Sequence, residues 1–181
     1  MKLVPSILAA LLALAVPAFS ADKKDKDKEK DKEKEEATVP DVNVSAVTFN
    51  GAVVNGVTFD KASMTGKVVV VEDWGVNCGP CIEFLPEMAK MAKKYEKKGV
   101  VVVGFEVQQG TPEQINKLLK PARVAYPVFS GGNSGASTGG IPHACVYSAE
   151  GKLLWHGNPH DDKFEDTIKD ALKAVKPVAK N

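Results

Sequence analysis

Two unbroken valine runs constrain this chain more than any other feature. Val68 to Val71 and Val100 to Val103 are β-branched throughout, and such runs mark strands buried on both faces. Between them lies "PCIEFLPEMAKMAKKYEKKG", in which Ile82, Leu85, Met88, Ala89, Met91, Ala92 and Tyr95 recur at intervals of three and four. That spacing predicts an amphipathic helix, closed by Gly99 and kinked at Pro86. Two buried strands bracketing one helix form a βαβ unit, with parallel pairing and a right-handed crossover.

The flanking segments extend this α/β pattern. Upstream, "VNVSAVTFNGAVVNGVTFD" alternates short apolar runs with Asn50-Gly51 and Asn55-Gly56, which predicts short strands or a hairpin. Downstream, "TPEQINKLLK" reads as a helix capped by Thr111, with Pro112 in its first turn and Gln114 three residues after the cap. "ARVAYPVFS" predicts a short strand, and residues 131–140, "GGNSGASTGG", a flexible loop. A hairpin turning at Glu150-Gly151 and an amphipathic C-terminal helix, "DDKFEDTIKDALKAV", complete the chain. Its 181 residues suit one domain.

The N-terminus has a different character. Residues 1–20 combine Lys2, an apolar stretch from Leu3 to Val16, and small residues after Pro17, the three regions of a signal peptide. The stretch is shorter than the roughly 20 residues that span a bilayer as a helix. Cleavage after Ser20 or Ala21 is expected, leaving an exported, periplasmic or extracytoplasmic protein without stable membrane insertion; an uncleaved anchor is the other reading. Residues 21–37 form a charged tether: Asp22 to Glu36 contains seven Lys, eight acidic residues and no apolar side chain. Such a segment buries too little surface to offset its ordering entropy, so disorder is expected. Residues 38–181 then make up the domain. With 24 Lys+Arg against 23 Asp+Glu, nothing in the net charge points to nucleic acid.

Three cysteines remain: Cys78, Cys81 and Cys145. The Cys-x-x-Cys spacing alone supports a metal clip, a structural staple or a redox couple. Zinc would want a second ligand pair or a Cys/His partner pair, and of His143, His156 and His160 none forms a tight pair with a fourth ligand; no metal or cofactor is expected. A disulfide closing so short a loop constrains the unfolded chain little, which weighs against a staple.

The order strand, Cys-x-x-Cys at a helix start, parallel strand, helix, hairpin and last helix resembles thioredoxin-fold proteins. It is most similar to exported disulfide reductases of the TlpA/ResA type and their redoxin-like relatives. The resemblance covers roughly residues 40–176. It rests on "GKVVVVEDW", "CGPC", Pro86 five residues after Cys81, "GIP" at 140–142, and "EGKLLWHG". It implies an α/β thioredoxin fold: a central mixed sheet of about five strands flanked by helices, with an N-terminal extension of short strands.

It also implies roles. A thiol at a helix N-terminus has a lowered pKa, so Cys78 is the expected exposed nucleophile and Cys81, one turn inside, the resolving cysteine. Gly79-Pro80 starts the helix without wasting a backbone donor. Glu72 stands where thioredoxins keep a buried acid, a candidate acceptor for the Cys81 proton; strand alternation lets either Glu72 or Asp73 face the pair, not both. Pro142 matches the family's cis-proline, with Ile141 offering backbone hydrogen bonds to substrate and His143 beside it as a further substrate-side residue. Cys145 reads as a buried, inert thiol, Trp74 and Trp155 as packing residues, and His156 and His160 as loop residues. Two positions depart from the family pattern: Asn77 replaces an aromatic before the first cysteine, and Phe84 stands where ResA-like proteins often carry Glu, with Glu83 one residue off.

The expected activity is thiol–disulfide exchange that reduces exported proteins bearing disulfides, re-armed by an upstream thiol donor such as a membrane reductase. A disulfide oxidase or isomerase, and a non-catalytic binding module on the same fold, are the alternatives. The Pro-x-x-x-Thr-x-x-Cys context of a peroxiredoxin is missing before Cys78.

Overall fold

The two valine runs lie side by side in the computed structural model, which describes residues 39–175. In chain order its strands are β1 (Thr48–Phe49), β2 (Val68–Trp74), β3 (Val100–Glu106), β4 (Val128–Phe129), β5 (Gly132–Asn133), β6 (His143–Tyr147) and β7 (Leu153–Gly157). The helices are α1 (Gly79–Glu96), α2 (Pro112–Ala122) and α3 (Asp162–Ala174). Five strands form one mixed sheet in the order β4-β3-β2-β6-β7. Val68 pairs with Val100 and Val71 with Val103 in parallel register, while β6 runs antiparallel to β2. The proposed leader and tether, residues 1–37, lie outside the described residues.

Side-chain alternation along β2 builds two cores. Val68, Val70 and Trp74 join a layer that takes Leu85 and Met88 from α1, Ile115 and Leu119 from α2, and Phe164 and Ile168 from α3. All three helices of the described residues therefore cover one face. Two successive right-handed crossovers, β2-α1-β3 and β3-α2-β4, step the same way across the sheet and so place their helices on the same side.

Val69, Val71, Phe105, Cys145 and Tyr147 face the other way, against Val47, Met64 and partly buried Phe49, Val53 and Phe59. Here the N-terminal extension does the work of helices. Phe49, Phe59, Phe105 and Phe129 meet at centroid separations of 5.1–5.8 Å, Phe49 and Phe59 stacked and the other pairs edge-to-face, contacts that add to simple burial.

Two local expectations change. The extension forms no hairpin with itself: β1 pairs with β5, and Val53 bridges Phe129. Residues 131–140 are not all loop either. Gly132 lies so close to Phe105 that a Cβ there would sit 2.4 Å from its ring, and Ser134 is fully buried. Other signals hold. The Thr111–Gln114 capping box closes at 2.9 and 3.3 Å, and α1 runs through Pro86 without ending.

Candidate active site

The cysteine pair sits where β2 gives way to α1. Cys78 is the N-cap and Cys81 lies in the first turn. They are joined as a disulfide with Cα atoms 5.2 Å apart, and the Cys81 N–H points at Cys78 Sγ, 3.2 Å away. Exposure is unequal but small: 8% for Cys78 and 3% for Cys81. The first cysteine is thus partly shielded rather than open, with exposed Asn77, Gly79 and Pro80 around it.

A buried carboxylate holds the approach to Cys78. Glu106, at the end of β3, is wholly buried and accepts the N–H groups of Val76 (3.2 Å), Gln108 (3.0 Å) and Gly110 (2.8 Å). Gln108 in turn accepts the Asn77 N–H at 2.8 Å. The two loops pack so tightly that a Cβ on Gly75 would come 2.4 Å from Gln108. Sequence reasoning missed both side chains; an acid closing an otherwise apolar strand was the only available signal.

Glu72 faces the cysteines' side of the sheet, between Val70 and Trp74 of that core layer. Its strand neighbours are Gly104 on β3 and Ala144 on β6, small residues that leave room for a carboxyl. Glu72 is 4% exposed, and its hydrogen-bond partner is the Tyr126 hydroxyl, also missed because it lies 54 positions away. Burial pushes the Glu72 pKa up from 4.5 to about 7; the Tyr126 bond opposes this and the Asp73 charge adds to it.

Asp73 points to the opposite face and is buried, not solvated. Ser134 donates to its Oδ2 at 2.6 Å, and His143 Nδ1 lies 3.7 Å from the same oxygen. His143 Nε2 approaches His156 Nδ1 at 3.4 Å. Burial, then the neighbouring His143, holds His156 below the ordinary imidazole range. His143 is therefore no substrate-facing residue. It pairs with Asp73 across β2 and β6, and alternation along β6 turns its ring to the face away from Cys78.

The Ile141–Pro142 bond is cis, and Ile141 packs on the core layer containing both cysteines. The site thus gathers Cys78, Cys81, Glu72 and Ile141 on one side of the sheet. His160, read as a plain loop residue, reaches the helix start: its Nε2 lies 3.3 Å from the Pro80 carbonyl and its ring 4.7 Å from Phe84. Cys145 is fully buried, and burial pushes its thiol pKa up. Trp74 is buried in the core, and Trp155 packs on Phe164 at 5.4 Å.

A vicinal dithiol that cycles to a disulfide at a helix N-terminus is suited to thiol–disulfide exchange. A sequence model of the AhpC/TSA family matches residues 36–138, more than half of the 181 residues. The chain belongs to the AhpC/TSA family. Within it, this AhpC/TSA protein is ResA-like with a thioredoxin fold. It is 25% identical over 116 residues to the thiol-disulfide oxidoreductase ResA of Bacillus thuringiensis subsp. konkukian (strain 97-27), over 62% of this chain and 65% of the relative. The match thus spans less than two thirds of that protein. ResA of Bacillus subtilis (strain 168) is 30% identical over 74 residues, 41% of each chain. The crystal structure of a thiol:disulfide interchange protein of the thioredoxin family from Chlorobium tepidum TLS superposes with a TM-score of 0.61 at 25% identity, covering 75% of this chain and 99% of that one.

Proposed function

We propose that this protein is an exported thiol–disulfide oxidoreductase that reduces disulfides in other exported proteins. The observation that carries the reading is the Cys78–Cys81 disulfide at the start of α1 with the buried acid Glu72 on the same side of the sheet. Free N–H groups and the positive end of the helix favour thiolate at Cys78. That thiolate attacks one sulfur of a substrate disulfide. The substrate S–S bond breaks, one substrate thiolate leaves, and a mixed disulfide forms on Cys78.

Cys81 then gives its proton to the Glu72 carboxylate and attacks Cys78 Sγ. The mixed disulfide breaks, and the second substrate sulfur leaves as thiolate and takes a proton from water. Two electrons have passed from protein to substrate, and an upstream thiol donor restores the dithiol. In this reading the backbone of Ile141, beside cis-Pro142, pairs with an extended substrate segment.

The test is turnover of insulin disulfides by the reduced protein. Cys81→Ser should retain a nucleophile without its resolver and accumulate mixed disulfides on a non-reducing gel; Cys78→Ser should show neither turnover nor trapping. Trapping by Cys78→Ser but not by Cys81→Ser overturns the roles, and no turnover by the wild type overturns the activity. The equilibrium potential of the couple separates reductase from oxidase.

A further inference from the structure

Resting on the reading that Glu72 receives the Cys81 proton, we propose that Tyr126 is a positioning residue for the resolving step: its hydroxyl holds Glu72 by Oε1 and leaves Oε2 as the oxygen that takes the proton.

The geometry is built from three elements. Glu72 comes from β2, Tyr126 precedes β4, and Gly104 of β3 lies between them, paired with Glu72 on one side and with Val128 on the other. A Cβ at Gly104 would lie 3.3 Å from Glu72 Oε1, 3.3 Å from the Tyr126 ring and 3.3 Å from Val128. The glycine therefore opens the space in which hydroxyl and carboxylate meet. Tyr126 is itself fixed: it is 6% exposed, and its carbonyl accepts the Asn55 side-chain amide at 2.8 Å. That residue belongs to the N-terminal extension, whose packing thus reaches the acid under the cysteine pair. Tyr126 also lines a cleft of about 860 Å³ with Val57, Phe59, Pro86 and Arg123, a lining that includes none of the exposed residues around Cys78.

Among the described residues, the Tyr126 bond is the only hydrogen bond to the Glu72 carboxylate. Burial, then the Glu72 charge, pushes the Tyr126 pKa up, so the phenol stays a neutral donor. A donor to a carboxylate stabilises its charged form, and bonds to charged groups are stronger than neutral ones. Burial favours the protonated acid, and the Tyr126 bond pulls it back towards neutrality, where a base must work.

The experiment follows the reduced protein mixed with 5,5′-dithiobis(2-nitrobenzoate) in a stopped-flow instrument. The first thionitrobenzoate released reports attack by Cys78; the second reports displacement by Cys81. The second phase is measured from pH 5.5 to 9 in wild type, Tyr126→Phe, Gly104→Ala and Glu72→Gln. Tyr126→Phe keeps the ring and removes the donor, and should move the midpoint up by about one pH unit. At the wild-type midpoint that is roughly a fivefold slower second phase. Gly104→Ala keeps both groups but crowds them, and should move the midpoint in the same direction by less. It carries the test if Tyr126→Phe does not fold. Glu72→Gln should slow the second phase and leave only the rise at higher pH at which the Cys81 thiol ionises unaided.

A Tyr126 that only packs would lower the melting temperature and leave the midpoint unmoved. Unmoved midpoints in folded Tyr126→Phe or Gly104→Ala, with the profile shifted upward in Glu72→Gln, overturn the inference alone. An unchanged profile in Glu72→Gln overturns the Glu72 reading and the inference with it.

Discussion

Replacing Glu72 by Gln measures what a carboxyl inside the sheet costs. Its pKa is raised from 4.5 to about 7, burial being the largest cause. Because the folded value lies above the unfolded one, the folded state binds more protons between pH 4.5 and 7. The contribution of Glu72 to stability is therefore lost as pH rises through that window and is absent above it. Two and a half units at 1.36 kcal/mol each give about 3 kcal/mol. Glu72→Gln removes the titration and keeps a carbonyl for the Tyr126 hydroxyl. Fixed differences in packing cancel if the quantity read is the change in ΔΔG between pH 4 and pH 8.5. Urea unfolding of the oxidised protein, in which Cys78 and Cys81 do not titrate, should show the variant gaining about 3 kcal/mol on wild type over that range. Parallel stability curves, within about 0.5 kcal/mol, would refute the argument that burial governs this carboxyl.

Three further outcomes are expected. Glu106→Ala leaves the N–H groups of Val76, Gln108 and Gly110 without their acceptor; since water reaches such part-buried groups, a loss of about 3 kcal/mol is expected, and a loss below 1 kcal/mol in urea unfolding contradicts the clamp. Alkylation of the reduced native protein at pH 8, followed by mass spectrometry, should label Cys78 first and reach Cys145 only after denaturation, because that thiol is fully buried with its pKa pushed up. Deleting residues 22–36 should leave the melting temperature and the rate of insulin reduction unchanged if they act as a solvated spacer; a loss of several degrees contradicts that role.

What the chain's pattern discloses depends on whether the physics is local. Unbroken valine at 68–71 and 100–103, the period of α1 and the Thr111 cap each concern residues within a few positions of one another, and each is where its pattern places it. The N-terminal extension is different. Asn50-Gly51 and Asn55-Gly56 signal turns, and both glycines do take positive φ, 98° and 73°, but a turn dipeptide does not name the strand that pairs beyond it. That choice fell to the phenylalanine cluster, which draws β1 onto β5. Composition likewise marks residues 131–140 as loop, although Ser134 is drawn inside by Asp73, 61 positions earlier.

Glu72 and Asp73 show how far local rules reach at the site itself. Alternation requires adjacent strand residues to face opposite ways, and the two carboxyls do part, Glu72 towards the cysteine layer and Asp73 towards His143. What alternation cannot supply is the partner each one meets. Tyr126 and Ser134 both follow α2, in the 20-residue stretch between that helix and β6, and each crosses to a different face to meet its acid. The segment least marked by periodicity thus supplies both donors. In the proposed mechanism it sets how readily Glu72 accepts the Cys81 proton, while the valine strands fix only where that carboxyl stands.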